Sequence, residues 1–417
     1  MKNLKAILLL FLANSISAVA QGISMIAIPW YFAELAQMEL FAMVYIGVTV
    51  LSVVWGPYAG TLIDKYNRKT IFMTLNIVMG ILLTLISAWG FYQGHLQWQW
   101  VGLVFVLTFL NYNIHFPAVY AFAQEIVDSS WYGKLSSYLE IQHQFTTVLA
   151  GALAAMLLEG AADGTINLFG FKIETSLEIA AWQIQEIFLL DASTYFVGFF
   201  IIGLIKYEPV LKRYKESGGI IQQFKVGITY LKEHKGISIF GVASFSVFLC
   251  MIVSHFYLVP IYVKNHLGEQ GDVYAAGDMY YATGAIFSGL AIRHIFKNKS
   301  IYFSVTAMTL VAASVFLVLG FSTSLIVFYS MIFLLGVTNA GVRIQRITYL
   351  LNKVPNQVYG RANSIFFISH VLFRVFFLSL FSLPIFLTAN NIIYAFYIFA
   401  GFLLATALVL ILYRKTF

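Results

Sequence analysis

Cysteine is almost missing from this 417-residue chain: Cys250 stands alone in an apolar run, so neither a disulfide framework nor a thiolate metal site can be built. Charge is scarce as well. Only 10% of the residues are Asp, Glu, Lys or Arg, against about a quarter in an ordinary soluble domain, which excludes a soluble enzyme or a nucleic-acid binder of this length. The polar segments also lack metal-ligand spacing, a nucleophile elbow and a phosphate-cradling glycine loop, and none reads as a nucleotide-binding domain that would drive work by hydrolysis. The chain is therefore read as a non-enzyme that uses no cofactor and no metal.

What the sequence has in abundance is apolar surface: 60% hydrophobic and 17% aromatic residues, with a mean hydropathy of +0.83. A membrane helix needs ~20 such residues. Twelve apolar stretches can be marked off, the first at about 6 to 33, the sixth at about 187 to 205, the seventh at about 237 to 263 and the last at about 392 to 413. The expected architecture is an all-α integral membrane protein with twelve transmembrane helices in two pseudo-symmetric six-helix bundles. Residues 1–205 would form the N-terminal bundle, 206–236 a cytoplasmic linker with a surface helix at about 220 to 231, and 237–417 the C-terminal bundle.

The first stretch imitates a secretory signal, with Lys2, Lys5, a short apolar core and Ala18-Val19-Ala20. Its apolar run continues through Ile23 to Phe32, and cleavage would leave eleven spans with reversed charge placement, so it is read as a span. With both ends cytoplasmic, 20 of the 25 Lys and Arg fall on the cytoplasmic side, Lys172 and Lys264 on the other, and Arg343, Arg346 and Arg374 inside spans. The net charge of +7 is thus a topology signal. Laying Gly133-Lys134 over Gly360-Arg361 gives an offset of 227 residues, which also brings His143 onto His370. Equal span numbers on either side then suggest two related halves with a site between them, the form of repeat-built carriers.

Between the second and third stretches the chain reads Gly60-Thr61-Leu62-Ile63-Asp64-Lys65-Tyr66-Asn67-Arg68-Lys69. This resembles the signature of the major facilitator superfamily, and the resemblance implies a gating loop in which Gly60 allows close helix contact, Asp64 faces a helix N-terminus, and Arg68 and Lys69 hold the loop at the cytoplasmic surface. The matching stretch of the second half, Gly289 to Arg293, keeps the glycine but has Arg293 where the aspartate would stand. Within the superfamily the chain is most similar to the branch of macrolide-efflux and enterobactin-exporter-like proteins. That similarity rests on His115-Phe116 followed by small residues, on Phe224 to Gly236 with its Gly-Ile-x-Tyr-Leu-Lys core, and on Pro355 followed by Gly360-Arg361. Two departures bear on direction and cargo: Gly151-Ala152 lacks the proline common in the fifth span of antiporters, and Arg343 and Arg346 are out of keeping with a cationic macrolide.

Ionisable groups in hydrocarbon cost several kcal/mol and by default face a cavity or a partner. At ~1.5 Å per residue, His115, His143, His370 and Arg343 come out about 10 to 12 Å from the cytoplasmic ends of their spans, with Arg374 a turn deeper. His370 and Arg374, Arg343 and Arg346, and Glu140 and His143 are spaced to share helix faces. Arg346 is also within snorkelling reach of the cytoplasm, and the histidines and amides can equally serve helix contacts. The spans of the second half hold three arginines and, apart from Asp278, no carboxylate, so either Glu140 or an anionic cargo should balance them. Arg343, Arg374, Arg346, His370, His115, Asn111, Asn113, Asn14 and Gln21 are accordingly assigned to substrate binding, and Glu140 and His143 to proton coupling. Gly60, Asp64, Arg68, Lys69, Gly360 and Arg361 make up the gating motif. Asp191, at the outer end of the sixth stretch, is read as near the surface, and Glu159 to Glu186 as a connection or a cover over the exit.

These residues point to a monomeric secondary carrier in a bacterial inner membrane, exporting an amphipathic, drug-like or siderophore-like organic anion by proton-coupled alternating access. Its partners would be the small molecule, protons and membrane lipids, with no nucleic acid. Import of an anionic metabolite or siderophore is the alternative in the same class. A lipid flippase or a non-transporting membrane partner is the alternative from another.

Overall fold

A computed structural model of the chain describes residues 4–126, 132–160, 165–168, 171–174, 180–206, 220–388 and 390–414. Six long helices come first: α1 (Leu4–Glu34), α2 (Met38–Lys65), α3 (Arg68–Gln93), α4 (Trp98–Ile126), α5 (Tyr132–Glu159) and α6 (Ile184–Gly203). Between α5 and α6 an antiparallel hairpin of β1 (Thr165–Leu168) and β2 (Phe171–Glu174) pairs Thr165 with Glu174 and Leu168 with Phe171. It is the one departure from helix among the described elements, and it falls in the segment read as a connection or cover. The sixth helix begins earlier than its apolar run because Gln183 and Glu186 form a reciprocal cap, the Glu186 carboxylate accepting from the Gln183 backbone N–H at 2.6 Å.

The remaining helices are α7 (Ile220–Glu233), α8 (Lys235–Ala243), α9 (Ser246–Val253), α10 (Val259–Tyr262), α11 (Gly271–Ile295), α12 (Ile301–Phe321), α13 (Leu325–Lys353), α14 (Asn356–Phe381), α15 (Pro384–Leu387) and α16 (Ile392–Leu412). The seventh stretch, expected as one helix, is instead interrupted. It turns at Ser244 and Phe245, and π-helical turns at Ser254–Leu258 and Val263–Leu267 flank α10. Elsewhere the ends are set by ordinary chemistry: Asn67 accepts from the Lys69 N–H to start α3, Ser300 accepts from Phe303 N–H to start α12, and Gly94 takes φ 76° to end α3.

Eleven helices among the described residues are long and apolar enough to cross a membrane. The twelfth expected span, α11, has 25 residues, ample for a crossing, and is made less apolar by Asp272, Asp278 and Arg293. In each of the eleven only 39–56% of the most apolar window is buried inside the protein, so a hydrophobic surface is left all round, as suits a lipid-covered bundle. Pro29, Pro57 and Pro117 lie inside α1, α2 and α4, which packed membrane helices tolerate.

The chain divides into two compact units, residues 1–214 with 270–279, and residues 215–269 with 280–417. In the first, α6 packs on α3 and α1, α1 also on α5, and α2 on α4. Its core includes Phe32, Phe41, Tyr45 and Phe105, with ring centroids 5.0–5.5 Å apart for Phe41 with Phe105, Phe32 with Phe41 and Tyr45 with Phe105. In the second, α12 packs on α13 and α16 around Phe316, Phe377, Phe381 and Phe399. There α11 and α13 touch backbone to backbone: a Cβ on Gly284 would collide with the Phe333 carbonyl, and one on Gly336 with the Tyr281 carbonyl. The expected surface helix is α7, and it is docked: Gly227 lies so close to α14 that a Cβ would stand 3.0 Å from the Arg361 carbonyl oxygen.

Candidate functional site

The second unit gathers the intramembrane cations. Arg346, on α13, is 8% exposed; its guanidinium lies 3.6 Å from the ring centroid of Phe245, and Nη1 donates to the Ser244 carbonyl at 3.2 Å. Both groups lie in the turn between α8 and α9, where the helical ladder is interrupted. Arg346 therefore does not snorkel. His370, on α14 and 3% exposed, has its ring 5.0 Å from Phe248 and 5.9 Å from Phe245. Arg374, one turn on, is 2% exposed, and its charge and that of Arg346 both reach His370, while that of Arg343 reaches Arg346. Arg343 itself is half-buried.

Four basic residues and two phenylalanines thus form one cationic, aromatic patch. The sequence of this unit is as telling: from Met279 to Phe417 the chain contains no Asp or Glu. The described carboxylates of this unit, Glu233 and Glu269, stand at or beyond helix ends. Such a patch can hold a carboxylate or phosphate through charge and a flat hydrophobic body through its rings.

The other residues assigned to substrate binding lie in the first unit. His115 is bonded through Nε2 to Asn14 Oδ1 at 2.9 Å, and Gln21 and Asn111 both donate to the Tyr195 hydroxyl, at 3.3 and 3.2 Å. Asn113 donates to the Phe109 carbonyl of its own helix at 2.8 Å and joins no cluster through that amide. Glu140, half-buried, accepts from Gln144 one turn on at 3.0 Å, and the half-buried His143 ring stands 6.3 Å from Phe116.

In the loop motif the basic residues do something more specific than sit at a surface. Arg68 donates to the Ile63 carbonyl and to that of Tyr66 at 3.0 Å, closing the end of α2, and its Nε lies 3.6 Å from Glu125. Lys69 reaches across to the end of α6, where Nζ donates to the carbonyls of Gly203 and Ile205 at 2.7 and 2.8 Å. Cations are favourable at such carbonyl-rich ends. Gly60 and Gly360 are exposed, and within its own unit neither has a described atom within 4 Å of a Cβ built on it. The side chain of Asp64 lies outside the described residues.

Sequence reasoning passed over Asp191, Ser24 and Tyr195. The structure places Asp191 at 0% exposure, with Oδ2 accepting from Ser24 Oγ at 2.9 Å. It was misplaced because the helix starts at Ile184, which puts Asp191 about 10 Å inside at ~1.5 Å per residue. The available signal was the polar spacing of Asn14, Ser17, Gln21 and Ser24 along α1.

Comparison with known proteins agrees with this architecture. Macrolide efflux protein A of Streptococcus pyogenes is 19% identical over 308 residues, 73% of this chain and 68% of that one. A Bacillus subtilis protein with the name "Putative bacilysin exporter BacE" is 22% identical over 328 residues, 77% of this chain and 74% of that one. Among solved structures, the nucleoside transporter NupG superposes with a TM-score of 0.71 at 12% identity, covering 99% of this chain and 100% of its own. The model of the Major Facilitator Superfamily matches residues 10–378, and the chain belongs to that superfamily of multi-pass membrane transporters.

Proposed function

We propose that the protein exports an amphipathic organic anion, drug-like or siderophore-like, across a bacterial inner membrane, with both termini cytoplasmic and the proton gradient as the driving force. The observation that carries the anionic cargo is the buried patch of Arg343, Arg346, His370 and Arg374 beside Phe245 and Phe248, in a stretch of 139 residues that has no carboxylate. Guanidinium groups gathered away from bulk water are suited to bind an anion by charge and paired hydrogen bonds, and the rings supply the apolar half of the fit. Export is supported by the relatives, which are named as efflux and exporter proteins. Glu140 and His143, half-buried on one face of α5, remain the proposed exchangers of protons with the transport path.

Everted membrane vesicles carrying the full-length protein test this directly. With an inward-acid pH difference, they should accumulate amphipathic carboxylates or phosphates from a panel that also holds lipophilic cations and neutral solutes, and R374A should abolish that accumulation. Accumulation of the cations alone would overturn the anionic reading. Uptake by intact cells in place of vesicles would make the protein an importer.

A further inference from the structure

The first unit holds a second constellation that the cationic patch and the loop motif do not use. Asn14, Ser17, Gln21 and Ser24 are three, four and three residues apart on α1, one helix face about 15 Å long at ~1.5 Å per residue. Each meets a polar group of α4 or α6. Asn14 is bonded to His115 at 2.9 Å, Ser17 donates to the Thr194 carbonyl at 3.5 Å, Gln21 donates to the Tyr195 hydroxyl at 3.3 Å, and Ser24 donates to Asp191 at 2.9 Å. Asn111 joins from α4 through the same Tyr195 hydroxyl. Beside Asn14, Ser17, Asn76 and His115 lies a cavity of about 10 Å³, close to the room one water needs. The two titratable groups at the ends of this line are His115 and Asp191.

Asp191 is the unusual member. It is fully buried, its Oδ1 has no hydrogen-bond partner, and Asn111 Oδ1 nearby in the network is likewise without a donor. The groups that face it are neutral: Ser24 from α1, and Tyr195 one turn along its own helix. The described charges of α1 are Lys5 and Glu34, near its two ends; those of α3 are Arg68 and Lys69, in its first turn, where both are bound to main-chain carbonyls. α4 contributes His115 and, in its last turn, Glu125. A carboxylate removed from water with one hydroxyl for company costs several kcal/mol. The packing seen here therefore suits the carboxylic acid, and the carboxylate requires water to enter between α1 and α6.

We infer that Asp191 is a proton-binding site of the carrier, buried inside the first unit and separate from Glu140 and His143, with Ser24 as its fixed donor and the polar face of α1 as the track along which water reaches it. Release leaves the Asp191 carboxylate and a hydronium ion in the track; uptake is the reverse, and no other reactant takes part. The inference rests on the protein being a transporter and does not depend on cargo or direction.

Infrared difference spectroscopy of the full-length protein in lipid, titrated from acidic to alkaline buffer in H₂O and D₂O, reads this site without any substrate. The expected result is a neutral-carboxyl C=O band that is lost on alkalinisation, absent in D191N, and shifted in S24A, which removes the hydrogen bond that Asp191 receives from Ser24. Persistence of the band in D191N overturns the proposal, as does its loss when sodium replaces potassium at constant pH, which would make the site one for a metal cation. Should D191N fail to fold, S24A still decides: an unshifted band overturns the assignment. A band lost in D191N while no compound of the vesicle panel responds to a pH difference would sink proton-driven export and leave the proton site standing.

Discussion

The two units bury polar groups in opposite ways. In the first, Gln21, Asn111, Tyr195, Ser24, Asn14 and His115 are joined by side-chain hydrogen bonds, and the fully buried acid Asp191 sits beside hydroxyls. In the second, Arg346 and His370 are buried against aromatic rings, Arg346 also against a main-chain carbonyl, and Arg374 is buried one turn from His370; the sequence from Tyr280 onward carries no Asp or Glu. A membrane protein gains nothing from hydrocarbon for either arrangement, so each must be retained for what it does. The first is closed chemically and can change only by gaining or losing a proton and water. The second concentrates positive charge beside aromatic rings, with Arg346 held by a ring and a main-chain carbonyl.

Substitutions at four positions sharpen or break this contrast. The largest effect is expected at Arg374. R374A should lower the apparent affinity for the exported anion by about 30-fold or more, in line with about 2–3 kcal/mol for a hydrogen bond to a charged group, whereas R374K, which keeps the charge and loses the planar fork, should lose about tenfold. Vesicle transport rates against substrate concentration measure both, and equal behaviour of wild type and R374A would break the contrast. Next comes F245L, which keeps bulk but removes the ring under Arg346; a desolvated cation–π contact suggests a loss of about 2 kcal/mol in unfolding free energy. Denaturant titration reads it, and anion affinity should fall with it.

Y195F should cost about 1–2 kcal/mol, because Gln21 and Asn111 lose their shared acceptor inside the first unit, while anion affinity stays that of the wild type. A change in affinity there would mean the neutral network belongs to the substrate site. The smallest effect is expected for K69M, about 0.5–1 kcal/mol, from the two carbonyls at the end of α6 that lose their cation. Hydrogen exchange confined to the last turn of α6 is the sensitive measure.

Much of the fold was legible because hydrocarbon imposes a simple rule: runs of about 20 apolar residues separated by charge give helices in order, and lysine and arginine placement suggests their sense. The cationic patch was legible for the same reason, since Arg343, Arg346 and Arg374 are conspicuous in apolar runs. The break at Ser244 and Phe245 was not, because no proline or glycine announces it and its partner, Arg346, is 102 residues away. Nor was the role of Lys69, whose target carbonyls at Gly203 and Ile205 leave no trace in side-chain chemistry. Asp191 was missed by a boundary: moving the start of α6 by three residues turns a surface acid into an interior one.

The contact of α11 with α13 in the second unit has a mechanical consequence. Where Gly284 and Gly336 bring main chain against main chain, no rotamer lies between the helices to absorb displacement. Sliding would drive each peptide carbonyl into the opposite helix, so the pair can only pivot about that point, like the pin of a pair of scissors, or travel as one stiff strut. In the same unit the chain up to Leu267 carries the opposite device, π-helical turns at Ser254–Leu258 and Val263–Leu267 that interrupt the regular ladder.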